Sequence, residues 1–450
     1  MTERRTAQDG PSDRDGPGPA GPSAGRIGTS RWQVFVRTSL YLLGGSLQKA
    51  AYLLLLPFLV AVLTPDEFTR FGLMVSAIAV LTPLFSLNAH LAPGRLYFDY
   101  EESHHGAELL FSSLLGGLGL VMLGLSVCVG VLRLSGAIEP VTLGSLEVQL
   151  WIALVVVLLV AGDFGLTLIR IRGNAWLYTI VAAVSGFGIL VAFLALRGWV
   201  RDGFLRGIVA LAVGRGAAAA ISLAYAARYL RGARFRWGML GRSLAFSWPT
   251  TIHLLALWMV SHSGRWIGSL YLTLEGLAPY MLVSQIVGAM MMVGRALFEA
   301  RLPDIGRAFA GRHYREGRRI ILVTAAAGLG IVALAYVALY VLLFVLKLPL
   351  PAGYAPTPLL VLLAGVANLF DIFYVRGVST LSALKKTGVQ AAATLLASVV
   401  TVATSFALVG RYGDHGLAVA VAIGLGVQAL ASNVAARHQL RKASADPRDH

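Results

Sequence analysis

The longest uncharged stretches of the chain limit what it can fold into. Lys, Arg, Asp and Glu are all absent from 109–132, 173–196, 276–294, 320–346 and 387–410. Each stretch is close to or above the roughly 20 apolar residues that carry a helix across a bilayer. Only 13% of the 450 residues are charged, against roughly 25% in soluble domains. Lipid accepts only helices or closed barrels, and these runs are too long and too evenly apolar for barrel strands. The predicted fold class is therefore an all-α polytopic membrane protein.

The apolar runs predict twelve spans, which places both termini on one side of the membrane. Of the 38 Lys and Arg residues, 25 lie in the tails and loops of that side and six in the loops of the other side. Because cytoplasmic loops are rich in Lys and Arg, we expect both termini in the cytoplasm. The same bias explains the net charge of +16 without nucleic acid as a partner. The spans are about 33–63, 68–95, 107–133, 147–169, 174–196, 204–229, 243–271, 276–301, 319–346, 355–381, 387–410 and 415–437.

The two halves of the chain resemble each other at a nearly constant offset of 208 to 212 residues. Three distant pairs carry this similarity: Thr64 with Thr273, Asp163 with Asp371, and Asp202 with Asp414. A six-span unit followed by a parallel copy predicts two lobes, with a substrate bound between them near the middle of the membrane. We therefore divide the chain into a disordered cytosolic tail at 1–31, lobes at 32–236 and 237–442, and a cytosolic tail at 443–450.

Several segments carry a family resemblance. These are "LLLPFLVAVLTPDEFTRFGLMVSAIAVLTPLFSLNAHLAPGR", "FSWPTTIHLLALWMVSHSGRWIGSLYL", "YMLVSQIVGAMMMVGRALFEARLPDI" and "GRYGDHGLAVAVAI". Together they resemble the bacterial polysaccharide and lipid-linked oligosaccharide flippases of the multidrug/oligosaccharidyl-lipid/polysaccharide superfamily. The family's usual Asp before the arginine of the seventh span is replaced here by Gly264, while Arg265 remains. Twelve spans favour the polysaccharide branch, because the superfamily's lipid II flippases usually have fourteen.

The resemblance implies a transporter of the bacterial inner membrane that works by alternating access and is not an enzyme. Its substrate would be a polyprenyl-diphosphate-linked glycan used in building the cell envelope. Membrane lipids, a glycan polymerase or glycosyltransferases would be its partners. It implies no cofactor and no metal, although Na⁺ or H⁺ could drive transport. A diphosphate head needs cations, and the planar guanidinium group of Arg fits phosphate oxygens.

Polar side chains on spans one, two, seven and eight supply a candidate cationic cavity. Arg265 and Lys49 lie deepest in their spans and have no carboxylate at helical spacing. A charge at this depth costs at least about 2.5–3.5 kcal/mol, so a bound anion would explain why both are kept. The predicted substrate-binding residues are Lys49, Arg265, Arg295, His262, Gln48, Asn88 and Gln285.

Some of these residues have simpler explanations. Arg295 and Glu299 are four residues apart and could neutralise each other. His262 could simply bond a backbone carbonyl. Asp163 and Asp371 could bind a coupling Na⁺ or H⁺, or could form structural ion pairs with an arginine of the cavity or with Arg215.

Two other functions remain open. An exporter of amphiphilic drugs from the same superfamily predicts an acidic cavity. A membrane enzyme acting on lipid-linked sugars predicts turnover without any change of membrane side. No nucleotide-binding, nucleophile or metal-ligand motif supports catalysis.

Overall fold

This computed structural model describes residues 31–97, 100, 105–134 and 145–445, and helices account for nearly all of these residues. No strand is present in these ranges, and the predicted tails lie almost entirely outside them. The helices are α1 (Arg31–Val62), α2 (Pro65–Ser86), α3 (Leu91–Leu96), α4 (Gly106–Leu134), α5 (Leu146–Ile171), α6 (Ala175–Ala195), α7 (Gly203–Ala227), α8 (Trp237–Tyr271), α9 (Leu274–Ala310), α10 (Tyr314–Tyr340), α11 (Pro358–Ala383) and α12 (Thr387–Ala445).

Eleven of these helices are long and apolar enough to cross a membrane, and α12 crosses it twice. At Gly413 the backbone turns to φ 57° and ψ −134°, which breaks the helix. The chain then folds back on itself, as shown by the hydrogen bond that Gln428 Nε2 donates to Thr394 Oγ1 at 3.1 Å. In one straight helix these two residues would be about 50 Å apart. The chain therefore has the twelve crossings that the sequence predicts. We call the membrane face where α1 begins the terminal face, and the other the opposite face.

Helix starts are fixed by side chains that accept hydrogen bonds from otherwise unpaired backbone N–H groups. Thr64 and Glu67 form a reciprocal capping box at the start of α2, and Pro65 follows at the first helical position. Thr273 caps α9. Asp202 likewise caps α7 by accepting from Leu205 N at 2.9 Å.

The prediction of one continuous span over 68–95 is wrong at its end. Leu87 and Asn88 adopt left-handed backbone, with φ 46° and 51°, and α2 stops at Ser86. Asn tolerates this conformation better than most residues. The buried Asn88 amide donates to Thr251 Oγ1 on α8 at 3.0 Å, which holds the turn against the second half of the chain. The short helix α3 follows on the terminal face.

The helices form two lobes, α1–α7 and α8–α12, related by the internal repeat. Equivalent residues take equivalent places: Thr64 and Thr273 both begin a helix after the turn at the opposite face. Asp202 begins α7, and Asp414 follows the break at Gly413. The lobe limits of 32–236 and 237–442 stay a prediction. Between the lobes, α2 packs against α8 and α9, and α1 packs against α9. This seam contains a cavity.

Candidate functional site

A cavity of about 510 Å³ lies between the two lobes. Helices α1, α2, α5 and α7 line it from one lobe, and α8, α9, α11 and α12 from the other. Its volume falls within the roughly 300–1,000 Å³ of small-molecule sites. The polar residues among its lining are Gln48, Arg215, Ser261, His262, Arg265, Tyr280, Ser284, Gln285 and Arg295.

The cavity is closed toward the opposite face by contacts between the lobes. Tyr354, only 1% exposed, donates its hydroxyl to the carbonyl of Leu63 at 2.8 Å. Its ring meets the edge of Phe68 at a centroid distance of 5.3 Å. Nearby, Thr69 Oγ1 donates to the carbonyl of Leu274 at 2.8 Å. These contacts seal the seam at that end.

Toward the terminal face the lining becomes more accessible. Met292 is 40% exposed and the side chain of Arg295 is 32% exposed, although both line the cavity. Leu360 at the other end is fully buried. The cavity therefore widens toward the terminal face in this conformation.

Arginine is the only strongly basic residue type among the described lining side chains. Arg215 comes from α7, where its NH1 donates to Ser185 Oγ on α6 at 2.7 Å. The same hydroxyl accepts from Gln48 Nε2 on α1 at 3.3 Å, so α1, α6 and α7 position this side of the cavity together. Arg265 lies on α8 and is only 4% exposed. Each lobe thus contributes a guanidinium group to the cavity wall.

Arg295 forms an ion pair with Asp371 rather than with Glu299. Its NH2 lies 2.8 Å from Asp371 Oδ1, and the carboxylate is fully buried behind the cavity wall. Glu299 is exposed. Of the two partners that the sequence left open for Asp371, the structure places the cavity arginine beside it. This geometry is that of a structural pair, with one edge of the guanidinium still facing the cavity.

Carboxylates are absent from the lining as far as the described residues define it. Every Asp and Glu side chain placed by the structure lies outside the cavity wall. Arg295 is matched by the buried Asp371, and Arg215 and Arg265 line the cavity from opposite lobes. The cavity wall is consequently electropositive.

His262 and Trp258 form a stacked pair beside the cavity, with ring centroids 5.9 Å apart and planes at 29°. The indole donates to the carbonyl of Ser76 on α2 at 2.8 Å, and this bond ties the pair to the other lobe. His262 Nδ1 is buried without a hydrogen-bond partner among the described residues. The backbone carbonyl proposed as its partner is therefore not found at that nitrogen.

Five of the seven predicted binding residues come together in the cavity: Gln48, His262, Arg265, Gln285 and Arg295. Asn88 does not, because its amide is turned toward Thr251. The side chain of Lys49 is outside the described residues, so its role stays a prediction. Arg215 was overlooked as a binding residue. The signal was available, since Arg215 is the one charge in the otherwise uncharged stretch 207–227.

Sequence comparisons identify no relative: no protein-family profile and no curated protein matches the chain. Solved structures do match. The eukaryotic MATE transporter AtDTX14 superposes with a TM-score of 0.63 at 14% identity, over 90% of this chain and 96% of its own. The lipid II flippase MurJ, in an inward closed conformation, gives 0.63 and 14% over 91% and 88%. A mutant of the Vibrio cholerae MATE transporter VcmN gives 0.59 and 17% over 91% and 97%.

The chain has the MATE and MurJ fold. The fold predicted from the resemblance of the sequence motifs is confirmed, and the protein is a multi-pass membrane protein. Another MATE structure, described as a multidrug resistance transporter of the MOP superfamily, is inward-facing and superposes at 0.62. Identities of 14–17% establish a common fold.

Proposed function

We propose that this chain is a flippase that carries a lipid-diphosphate-linked glycan precursor across the bacterial cytoplasmic membrane by alternating access. The observation that carries this proposal is the electropositive interlobe cavity, which three arginines line without any carboxylate from the described residues. The charge bias of the loops supports cytoplasmic termini. The terminal face, toward which the cavity widens, is then the side where such precursors are made.

The arginines favour an anionic cargo on energetic grounds. A guanidinium group does not lose its proton in a protein, and each one near the bilayer centre costs at least about 2.5–3.5 kcal/mol. Arg295 has Asp371 to offset that cost. A diphosphate between Arg215 and Arg265 would bind to both guanidinium groups, because its oxygens accept paired N–H bonds from the guanidinium fork. Lys49 remains a predicted third contact from α1.

The remaining lining suits the other two parts of the cargo. Gln48, Ser261 and Gln285 present amides and a hydroxyl that can bond sugar hydroxyls. Most other lining side chains are apolar, among them Met291 and Met292. An apolar wall that reaches the accessible end of the cavity is compatible with a polyprenyl tail left in the bilayer.

Drug export is the second candidate, and the apolar wall is the observation that favours it. Methionines such as Met291 and Met292 adapt to ligands of different shape, and the cavity volume suits a small molecule. The arginines oppose a cationic drug, so this alternative fits a neutral or anionic amphiphile. The two candidates differ in whether the diphosphate is required.

The test is translocation of a fluorescent polyprenyl-diphosphate sugar in proteoliposomes, followed by quenching from outside. We expect Arg265→Ala and Arg215→Ala to slow translocation by about 10- to 100-fold each. This is the effect of losing a hydrogen bond to a charged group worth about 1.5–3 kcal/mol. The matched control is Arg206→Ala. Arg206 is 5% exposed and lies outside the cavity, with its guanidinium over the ring of Phe193. Its loss should leave the rate per folded molecule unchanged.

Three outcomes would contradict the proposal. Wild-type rates in both cavity variants would remove the cationic site. Equal transport of a polyprenyl monosaccharide without phosphate would favour amphiphile export. Chemical conversion of the lipid-linked sugar by the purified protein, without a change of side, would favour a membrane enzyme.

A further inference from the structure

Three arginines converge at the terminal face of the second lobe, away from the interlobe cavity. Arg318 lies on α10, Arg376 on α11 and Arg437 on the second arm of α12. Electrostatic interactions link Arg376 to both of the others. We call these three residues the arginine cluster.

The packing of the three helices fixes this convergence. Asn433 Nδ2 on α12 donates to the carbonyl of Phe373 on α11 at 2.7 Å, one turn away from Arg437 and from Arg376. Gly377 allows the same close approach, since a Cβ there would lie 2.9 Å from the backbone of Ser432. On the other side, Ile321 of α10 shares a hydrophobic cluster with Ile372 of α11. The arginine cluster is therefore held in place by rigid neighbours.

The charges of the cluster are not neutralised by the described residues. None of the three guanidinium groups makes a hydrogen bond or an ion pair within the described ranges. The acids on the same three helices are Glu316, Asp371 and Asp414. Asp371 is bound to Arg295, Asp414 to His415 near the opposite face, and Glu316 is exposed in the first turn of α10.

Membrane orientation alone does not account for Arg376. Positive loops orient a membrane protein, and that would explain Arg318 and Arg437, which are exposed. Arg376 is instead half-buried and lies seven residues before the end of α11 at Ala383. Seven residues are about 10 Å of helix, so the backbone of Arg376 lies two turns below the terminal end of α11, from where its long side chain can reach up to the lipid headgroups.

Each arginine has an exposed apolar side chain one turn deeper on the same helix face. Leu322 follows Arg318 by four residues and is 43% exposed. Phe373 precedes Arg376 by three and is 36% exposed, and Val434 precedes Arg437 by three and is 57% exposed. Residues three or four apart share a helix face. The surface thus offers cations at headgroup depth and apolar contacts directly below, an arrangement that matches a phospholipid.

We propose that the arginine cluster binds the phosphate headgroup of an anionic phospholipid, whose acyl chains lie along Leu322, Phe373 and Val434. Basic pockets between transmembrane helices near the cytoplasmic surface bind such headgroups in other membrane proteins. The bound lipid would offset part of the charge of the cluster and hold α10, α11 and α12 together. This site does not depend on the transported substrate.

Native mass spectrometry of the purified full chain with phosphatidylglycerol or phosphatidylcholine measures the proposed binding. The site variant is Arg318→Gln/Arg376→Gln/Arg437→Gln. The control variant removes the same charge from the exposed terminal-face loop with Arg228→Gln/Arg231→Gln/Arg234→Gln. Each basic residue at an anionic surface contributes about fivefold. We therefore expect the site variant to bind phosphatidylglycerol about 100-fold more weakly, while the control variant keeps its tightest-bound phosphatidylglycerol and phosphatidylcholine binding is unchanged in both.

Two results would overturn this proposal. Equal losses in the site and control variants would mean diffuse surface attraction, with no site. Equal binding of inorganic phosphate and of phosphatidylglycerol to wild type would mean a phosphate-ion site rather than a lipid site. Should the triple variant fail to fold, Arg376→Lys replaces it. This change keeps the charge but removes the fork, and we expect it to weaken phosphatidylglycerol binding by about tenfold.

Discussion

Asp163 and Asp371 occupy equivalent positions in the two lobes, 208 residues apart, yet their surroundings differ. Asp371 is fully buried and lies 2.8 Å from the guanidinium of Arg295. Asp163 on α5 is half-buried and makes no ion pair or hydrogen bond with any described residue. It acts electrostatically on His90 in the connection between α2 and α3. Burial lowers the pKa of that imidazole, and the charge of Asp163 partly opposes this shift.

This difference shows that the two halves of the repeat share a backbone arrangement but differ in the contacts of their charged side chains. In the second lobe the carboxylate is the counterion of a cavity arginine. In the first lobe the cavity arginine Arg215 donates to the Ser185 hydroxyl, and Asp163 makes no ion pair with any described residue. The two repeat-related carboxylates therefore differ in their partners.

The largest expected effect of this difference is on stability. Asp371→Ala should lower the free energy of unfolding by about 3–5 kcal/mol, because Arg295 would keep its charge without its partner. Asp163→Ala should cost about 1 kcal/mol or less, because no pair is broken. Thermal unfolding of the detergent-purified variants measures both changes. Equal losses would mean that the two carboxylates have equivalent structural roles.

A double substitution separates the structural role of the pair from a role in transport. Replacing both partners in Arg295→Met/Asp371→Leu should recover most of the stability lost in Asp371→Ala, because buried ion pairs are often matched by apolar pairs of similar size. We expect the recovered protein to translocate the lipid-diphosphate sugar more slowly, since the exposed edge of Arg295 is gone from the cavity. Full activity would show that Arg295 serves only the fold.

The next prediction concerns the ion gradient that drives transport. A half-buried carboxylate without a partner can take up Na⁺ or H⁺, and among the repeat-related pair Asp163 alone has this character. We expect an imposed Na⁺ or H⁺ gradient to accelerate transport by wild type and to have no effect on Asp163→Asn.

Asp371→Glu is the matched control for this measurement, since it keeps the charge that Arg295 requires. Gradient stimulation should persist in this variant. Persistence in Asp163→Asn, or absence from wild type, would contradict the assignment of ion coupling to Asp163.

Much of the fold could be predicted because bilayer crossing depends on local composition. The twelve spans follow from apolar run length. Helical spacing places Gln285, Met292 and Arg295 on one face of α9, and that face lines the cavity. The second crossing within α12 was predictable for the same reason.

What the sequence left open depends on contacts between distant residues. Arg295 had Glu299 at helical spacing, and only the packing of α9 against α11 brings Asp371 to it instead. Asn88 was predicted to line the cavity, but left-handed backbone at the end of α2 turns it toward Thr251. Spacing along a helix shows which residues share a face, and it does not show which neighbour that face meets.

The smallest expected effect compares the repeat-related helix caps, Thr64 and Thr273. Thr64 Oγ1 accepts from Glu67 N at 3.3 Å and also donates to the Glu67 carboxylate at 3.1 Å. Thr273 Oγ1 accepts only from Gly276 N, at 3.1 Å, because glycine has no side chain to reach back. Loss of a threonine cap costs about 0.5–2 kcal/mol. We therefore expect the loss of unfolding free energy to lie near the upper end of this range for Thr64→Ala and near the lower end for Thr273→Ala, measured by thermal unfolding.

Glu67→Ala supplies the control: in that background Thr64→Ala should cost no more than Thr273→Ala. A larger loss at Thr273 would mean that the neighbouring bond from Thr69 to the carbonyl of Leu274, and not the cap, sets the stability of this end of the seam.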